Sequence, residues 1–140
     1  MARTLLVQVV SPEAIIFDGE VEMVVATTTN GEIGILPLHV PIVAELAPGE
    51  LRLKKGSNEE SKVFSIYGGY LQFAEDKMIV LTDDAIDVSK LNVAELEARI
   101  EATKQRLATM PEADEDGRAE LERELAWSQN CCMVAKRRSS

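Results

Sequence analysis

The chain has 140 residues, enough for one ordinary domain or for a smaller domain with an appendage. Its 15 basic and 24 acidic residues give a net charge of -9, which repels a phosphate backbone and argues against a nucleic-acid partner. No run approaches the roughly 18 apolar residues needed to cross a bilayer, and "MARTLLVQVV" lacks the apolar core and cleavage site of a signal peptide, so the chain is expected to stay in the cytosol.

Up to about Asp87 the pattern has period two, the period of strands. "TLLVQVV" opens it. In "GEVEMVVATTT" strict alternation puts Val21, Met23 and Val25 on one face and Glu20, Glu22 and Val24 on the other. "GEIGILPLHVPI" then packs two glycines, two prolines, Glu32 and the only histidine, His39, into an aliphatic run, and reads as a shaped loop. "ELRLKKG" and "KVFSIYGGYLQFAEDKMIVLT" resume the alternation, with Gly68 and Gly69 marking a bend and Glu75, Asp76 and Lys77 a hairpin turn. Many short strands separated by turn residues predict an antiparallel sandwich or barrel.

From Leu91 the period changes to that of a helix. Val93, Leu96, Ile100, Thr103, Leu107 and Met110 form one apolar stripe, with Asn92 as N-cap and Glu95 as its capping partner. Pro111 and the acidic "EADEDG" stop this helix. A second stripe follows at Leu121, Leu125, Ser128, Cys132 and Ala135, which predicts an antiparallel helical hairpin. Both stripes are narrow and contain polar residues, so the hairpin needs a partner surface. Charge divides at the same boundary: residues 1–87 hold 6 basic and 14 acidic side chains, residues 88–140 hold 9 and 10. The expected fold is therefore mainly β plus α, an N-terminal antiparallel β-sandwich (1–87) followed by a C-terminal two-helix hairpin (88–140).

No catalytic constellation is present. There is one histidine, no nucleophile elbow, no phosphate-binding loop and no His/Cys/Asp grouping at metal-ligand spacing. The adjacent Cys131 and Cys132 are poorly placed for a relaxed disulfide with each other and read as two small helix residues. A non-catalytic binding protein is expected, either an assembly subunit or a free-standing adaptor module.

The motifs favour the first of these. In order along the whole chain, "GEIGILP" with a histidine two residues beyond the proline, "GGYLQF", "IVLTDDAI" and the helical hairpin make the sequence resemble the epsilon subunit of F-type ATP synthases. The resemblance implies a central-stalk rotor subunit with no chemistry of its own, lying between the gamma subunit and the c-subunit ring. It implies a hairpin that folds down on the sandwich or extends into the alpha and beta subunits of the catalytic head, where it blocks ATP hydrolysis. Glu32 and Gly31 are then the expected c-ring contact, and Pro37, Leu38 and His39 the loop at the gamma interface. Arg118, Arg123, Lys136, Arg137 and Arg138 are the expected inhibitory contacts of the hairpin with acidic groups on the head. Membrane association would be indirect, through the ring, at the cytoplasmic face of a bacterial inner membrane.

Two positions depart from the family pattern. Leu38 stands where the family usually has glycine. Where some bacterial members carry an (Ile/Leu)-Asp-x-x-Arg-Ala motif that binds ATP, this chain reads Leu91, Asn92, Val93, Ala94, Glu95 and Leu96. Asn replaces the Asp and Glu replaces the Arg, so ATP binding is expected to be weak or absent and no cofactor is expected.

Overall fold

The computed structural model describes residues 3–56 and 59–139. Its strands are β1 (Leu5–Val10), β2 (Ile15–Val21), β3 (Met23–Thr28), β4 (Gly31–Ile35), β5 (Ile42–Gly56), β6 (Glu59–Ala74), β7 (Lys77–Leu81) and β8 (Ala85–Asp87). A short 3₁₀ turn (Val88–Lys90) leads into helices α1 (Val93–Thr109) and α2 (Glu115–Ser139).

The strands form one ladder in the order β2, β1, β7, β6, β5, β3, β4, with β8 paired to β6. β5 and β6 are long enough to belong to two layers. Ile42 to Leu46 pair with Phe73 to Gly69, and from Pro48 onward β5 pairs with the first half of β6, beginning at Tyr67. The ladder folds over at this break, where Gly68 and Gly69 both take positive φ (88° and 125°). One layer is β2, β1, β7 and the adjoining halves of β6 and β5; the other is β4, β3, the remaining halves and β8. All pairs are antiparallel except β1 with β7, which run parallel.

Alternation along each strand sends one set of side chains inward. Leu5, Val7, Val9, Leu51, Leu53, Phe64, Leu71, Phe73, Met78 and Val80 fill the space between the layers. The strict alternation expected through "GEVEMVVATTT" fails at Glu22. Val21 and Val24 both face the core, whereas Met23 is only half-buried. The chain changes strand here, from β2 to β3, with the Glu22 N–H donating to Lys54 O at 2.8 Å. A one-residue break resets the phase of every side chain that follows.

Glu75 and Asp76, at φ 51° and 59°, make the two-residue turn between β6 and β7, whose handedness suits the twist of the strands. Lys77 already belongs to β7. Asp76 also works at a distance: its Oδ1 accepts from the Leu38 N–H at 2.7 Å, which pins the loop after β4 to this turn.

α1 starts as its cap predicts, with Asn92 Oδ1 accepting from the Glu95 N–H at 3.1 Å, and it ends before Pro111. Within the hairpin seam the buried Thr103 satisfies its hydroxyl on Arg99 O at 2.8 Å. α2 packs on both α1 and the outer surface of β5 and β6. Its covered surface is consequently wider than one stripe: Asn130, Cys131 and Val134 are buried as well as Leu121, Ser128, Cys132 and Ala135. Trp127 meets Tyr67 edge to face, with ring centroids 6.1 Å apart.

Candidate functional site

Gly31 to Ile35 form the edge strand β4 rather than a loop, paired to β3 alone. Thr28 Oγ1 donates to Gly31 O at 2.6 Å and accepts from the Asn30 N–H at 3.1 Å, closing the turn that lets Gly31 begin the strand at φ 110°. Glu32 therefore sits on a rigid ladder with its carboxylate exposed, and Arg52 Nη2 binds it at 3.0 Å. The two long side chains lie on the outer surface of the second layer.

The loop proper runs from Leu36 to Pro41. His39 is tied down locally: its N–H donates to Leu36 O at 3.1 Å, its Nδ1–H to Val40 O at 2.6 Å, and its ring lies edge-on to Phe73. The histidine is a structural brace, as a lone histidine in an aliphatic run suggests. Around it the loop presents Leu36, Leu38 and Val40 to solvent at 55%, 66% and 70% exposure, and Val43 at the start of β5 is 72% exposed. A contiguous exposed aliphatic rim of this kind marks an interaction surface.

Leu38 itself has φ 71°, the left-handed region that glycine enters freely. The loop keeps the glycine conformation although the residue is leucine. Such a conformation costs a residue with a Cβ about 1–2 kcal/mol, partly offset by glycine's greater freedom when unfolded. Leu38→Gly is expected to raise stability by roughly 0.5–1 kcal/mol, read as an increased denaturant midpoint. A lowered midpoint would mean that the leucine side chain holds the loop.

The second region is the seam between α2 and the sandwich. Glu50, 4% exposed, projects from β5 toward the helix, where its Oε1 accepts from Arg137 Nη1 at 2.9 Å and its Oε2 faces Arg138 Nε at 3.6 Å. Arg52 Nη1 lies 3.9 Å from the same Oε1. Beside this cluster the amide nitrogen of Asn130 donates to Gly49 O, Ser65 Oγ and Ile66 O at 3.0–3.1 Å, and Ser65 Oγ donates to Cys131 Sγ at 3.4 Å. Burial pushes the Cys131 thiol above its ordinary value, against the hydrogen bond from Ser65. Farther along, Lys62 Nζ binds Asp87 at 2.9 Å; burial pushes that carboxyl up, but the hydrogen bonds from Lys62 and Ser89 hold it below its ordinary value.

The five hairpin cations expected to reach the head therefore have different surroundings. Arg118 donates to Leu107 O at 3.1 Å, capping the end of α1, and Lys136 pairs with Glu97 of α1 at 2.9 Å. Arg137 and Arg138 engage Glu50, and Arg123 is exposed. Glu50, Arg52, Ser65 and Asn130 were not singled out by sequence. On an alternating strand Glu50 reads as a solvated face, and Asn130 lies off the apolar stripe.

Among the described residues no three or more His, Cys, Asp or Glu converge to hold a metal ion, and no helix is long and apolar enough to cross a membrane. An edge carboxylate, an exposed aliphatic rim and a hairpin docked by a small apolar cluster and polar contacts suit a protein that works by binding other proteins. Comparison with known proteins agrees. Residues 4–88 match the family model "ATP synthase, Delta/Epsilon chain, beta-sandwich domain". The ATP synthase epsilon chain of Rubrobacter xylanophilus is 33% identical over 139 residues, covering 96% of this chain and 94% of that one. That of Alkalihalophilus pseudofirmus is 42% identical over 109 residues, covering 73% and 80%. A chain in the Euglena gracilis mitochondrial ATP synthase OSCP/F1/c-ring structure shares the fold, with a TM-score of 0.72 at 20% identity, covering 95% and 81%. A chain from the central stalk and c-ring structure of the Tetrahymena thermophila enzyme gives 0.55 at 15%, covering 93% and 97%. The chain belongs to the ATP synthase delta/epsilon family, as a non-catalytic rotor subunit of the F-type enzyme, a membrane-associated complex.

Proposed function

We propose that the sandwich of this chain seats between a gamma subunit and a c-subunit ring, and that its hairpin restrains ATP hydrolysis when it lifts toward the alpha and beta subunits of the catalytic head. Glu32 and Gly31 on the β4 edge contact the ring, and Pro37, Leu38 and His39 form the gamma-facing loop. Arg118, Arg123, Lys136, Arg137 and Arg138 are the groups offered to the head. The similar chains taken from an F1/c-ring assembly and from a central stalk and c-ring support these partners. The bacterial epsilon chains among the relatives support a place at the cytoplasmic face of a bacterial inner membrane, reached only through the ring.

The observation that carries this reading is the seam. Among the described residues, a cluster of sixteen buried apolar side chains, all on strands, gives the sandwich its own core, whereas the hairpin is held to it by a small apolar cluster, Asn130 and ion pairs. Such a contact can be released without unfolding the sandwich, and states separated by a few kcal/mol are readily switched by a partner. The hairpin is proposed to work without nucleotide. Asn92, in place of the motif's Asp, is occupied by capping, and the exposed Glu95 repels phosphate.

The test is ATP hydrolysis by the cognate head and gamma, stripped of this subunit, with the full chain or a truncation ending at Val88 added back. Full-length protein is expected to inhibit and the truncation to bind without inhibiting. Equal inhibition by both would remove the regulatory role from the hairpin. Loss of gamma binding by both would remove the stalk role.

A further inference from the structure

We propose that Glu32, Arg52, Glu50 and the pair Arg137 and Arg138 form one shared-charge network, through which a cationic group binding at the β4 edge loosens the hairpin. Arg52 lies between two carboxylates. Its Nη2 binds Glu32 at 3.0 Å while its Nη1 stands 3.9 Å from Glu50 Oε1. That same oxygen accepts from Arg137 at 2.9 Å, so Arg52 and Arg137 draw on one buried carboxylate. In the docked hairpin Arg52 is drawn toward Glu32, and Glu50 is left mainly to Arg137 and Arg138.

The two ends of the network differ in access. The Glu32 side chain is 57% exposed and open to a partner, whereas that of Glu50 is 3% exposed and covered by the hairpin. A partner's lysine or arginine on Glu32 weakens its hold on Arg52, which then turns to Glu50 and displaces Arg137. Conversely, a lifted hairpin frees Glu50 for Arg52 and leaves Glu32 available to the partner. Coupling of this kind is reciprocal by thermodynamic necessity. The network is a property of this chain alone; its use in the motor rests on the proposed contact of Glu32 with the ring.

The chain carries its own reporter. Its two cysteines, Cys131 and Cys132, are 2% and 6% exposed, packed between α2 and its neighbours, so a thiol reagent reaches them when the hairpin lifts. The experiment is the rate of reaction of the full chain with excess Ellman's reagent. Glu50→Gln, which leaves arginines beside a neutral group, is expected to raise the rate about tenfold or more. Glu32→Gln, remote from the thiols, is expected to raise it about two- to fivefold, the scale of a partly exposed ion pair. In an Arg52→Gln background the same Glu32→Gln change is expected to have no further effect.

Hydrogen exchange of the β1 and β7 amides on the same samples separates hairpin lifting from unfolding of the sandwich. If Glu50→Gln unfolds the sandwich, Arg137→Gln is read in its place, with a rise again expected. An unchanged rate in Glu32→Gln, or an undiminished effect of that change without Arg52, overturns the coupling. An unchanged rate in both Glu50→Gln and Arg137→Gln overturns the ionic latch itself. A ring that ignores Glu32 would leave all of these rates as they are, so the two readings fail separately.

Discussion

Gly69→Ala is expected to lower the stability of the sandwich by about 3–5 kcal/mol, the combined scale of backbone strain and overpacking. Two separate causes add at this residue. Its φ of 125° is one that a side chain with Cβ rarely adopts, and β6 needs it in order to pass from one layer to the other. A methyl group here would also overlap the carbonyl oxygen of Leu81 and press on Thr82 Cα at 3.0 Å. Neither neighbour can yield, because both are backbone, and Thr82 is anchored by its hydroxyl on Gly68 O at 2.7 Å. Gly68 provides the control. Its φ is also positive, but a Cβ would meet only Leu46 O at 3.7 Å, so Gly68→Ala is expected to cost about 1–2 kcal/mol. Thermal melts read the difference, with a fall of roughly 10 °C or more for Gly69→Ala. Equal melting of the two variants would show that strain alone, and not the close approach, requires glycine.

Asn130→Ala is expected to weaken docking of the hairpin by about 2–3 kcal/mol while leaving the sandwich folded. The amide nitrogen has two hydrogens for three acceptors, Gly49 O, Ser65 Oγ and Ile66 O, so it is fully committed. Alanine leaves two buried strand carbonyls without that donor, and their desolvation then opposes closure. A change of this size moves the ratio of docked to lifted hairpin roughly 30- to 150-fold. Asn130→Asp has nearly the same shape but offers an anionic acceptor to two carbonyls, and is expected to be worse than alanine. Hydrogen exchange checks both. The α2 amides should lose protection while those of β1 and β7 keep theirs, and unchanged α2 protection would mean that the apolar contacts and the Glu50 ion pairs hold the hairpin without Asn130.

These two sites separate permanent architecture from releasable contact. Gly69 belongs to the fold-over of the β5 and β6 ladder, which every state of the protein needs. Asn130 and Glu50 belong to a surface that the hairpin can leave. Arg137 and Arg138 illustrate the consequence, since arginines already bound to Glu50 meet another acidic surface only after that contact is broken. Lys136 and Arg118 act within the hairpin itself and favour its two helices staying together.

Local patterning was enough for strands followed by a two-helix hairpin, the capped start of α1 at Asn92, the stop before Pro111 and the bend at Gly68 and Gly69. Each of these depends on nearest neighbours: side-chain period, a cap two or three residues away, a backbone angle only glycine enters easily. The phase break at Glu22 was hidden because the apolar run from Met23 to Ala26 fits either phase, and only pairing with Lys54 reveals that the chain has changed strand. The strand character of "GEIGI" was obscured by its glycines and the prolines that follow. Most of the functional seam was invisible for a stronger reason. Glu50, Ser65 and Asn130 are separated by up to 80 residues and are brought together only when α2 lies across β5 and β6. A carboxylate on an alternating strand reads as solvated until something covers it, and what covers it here lies at the far end of the chain.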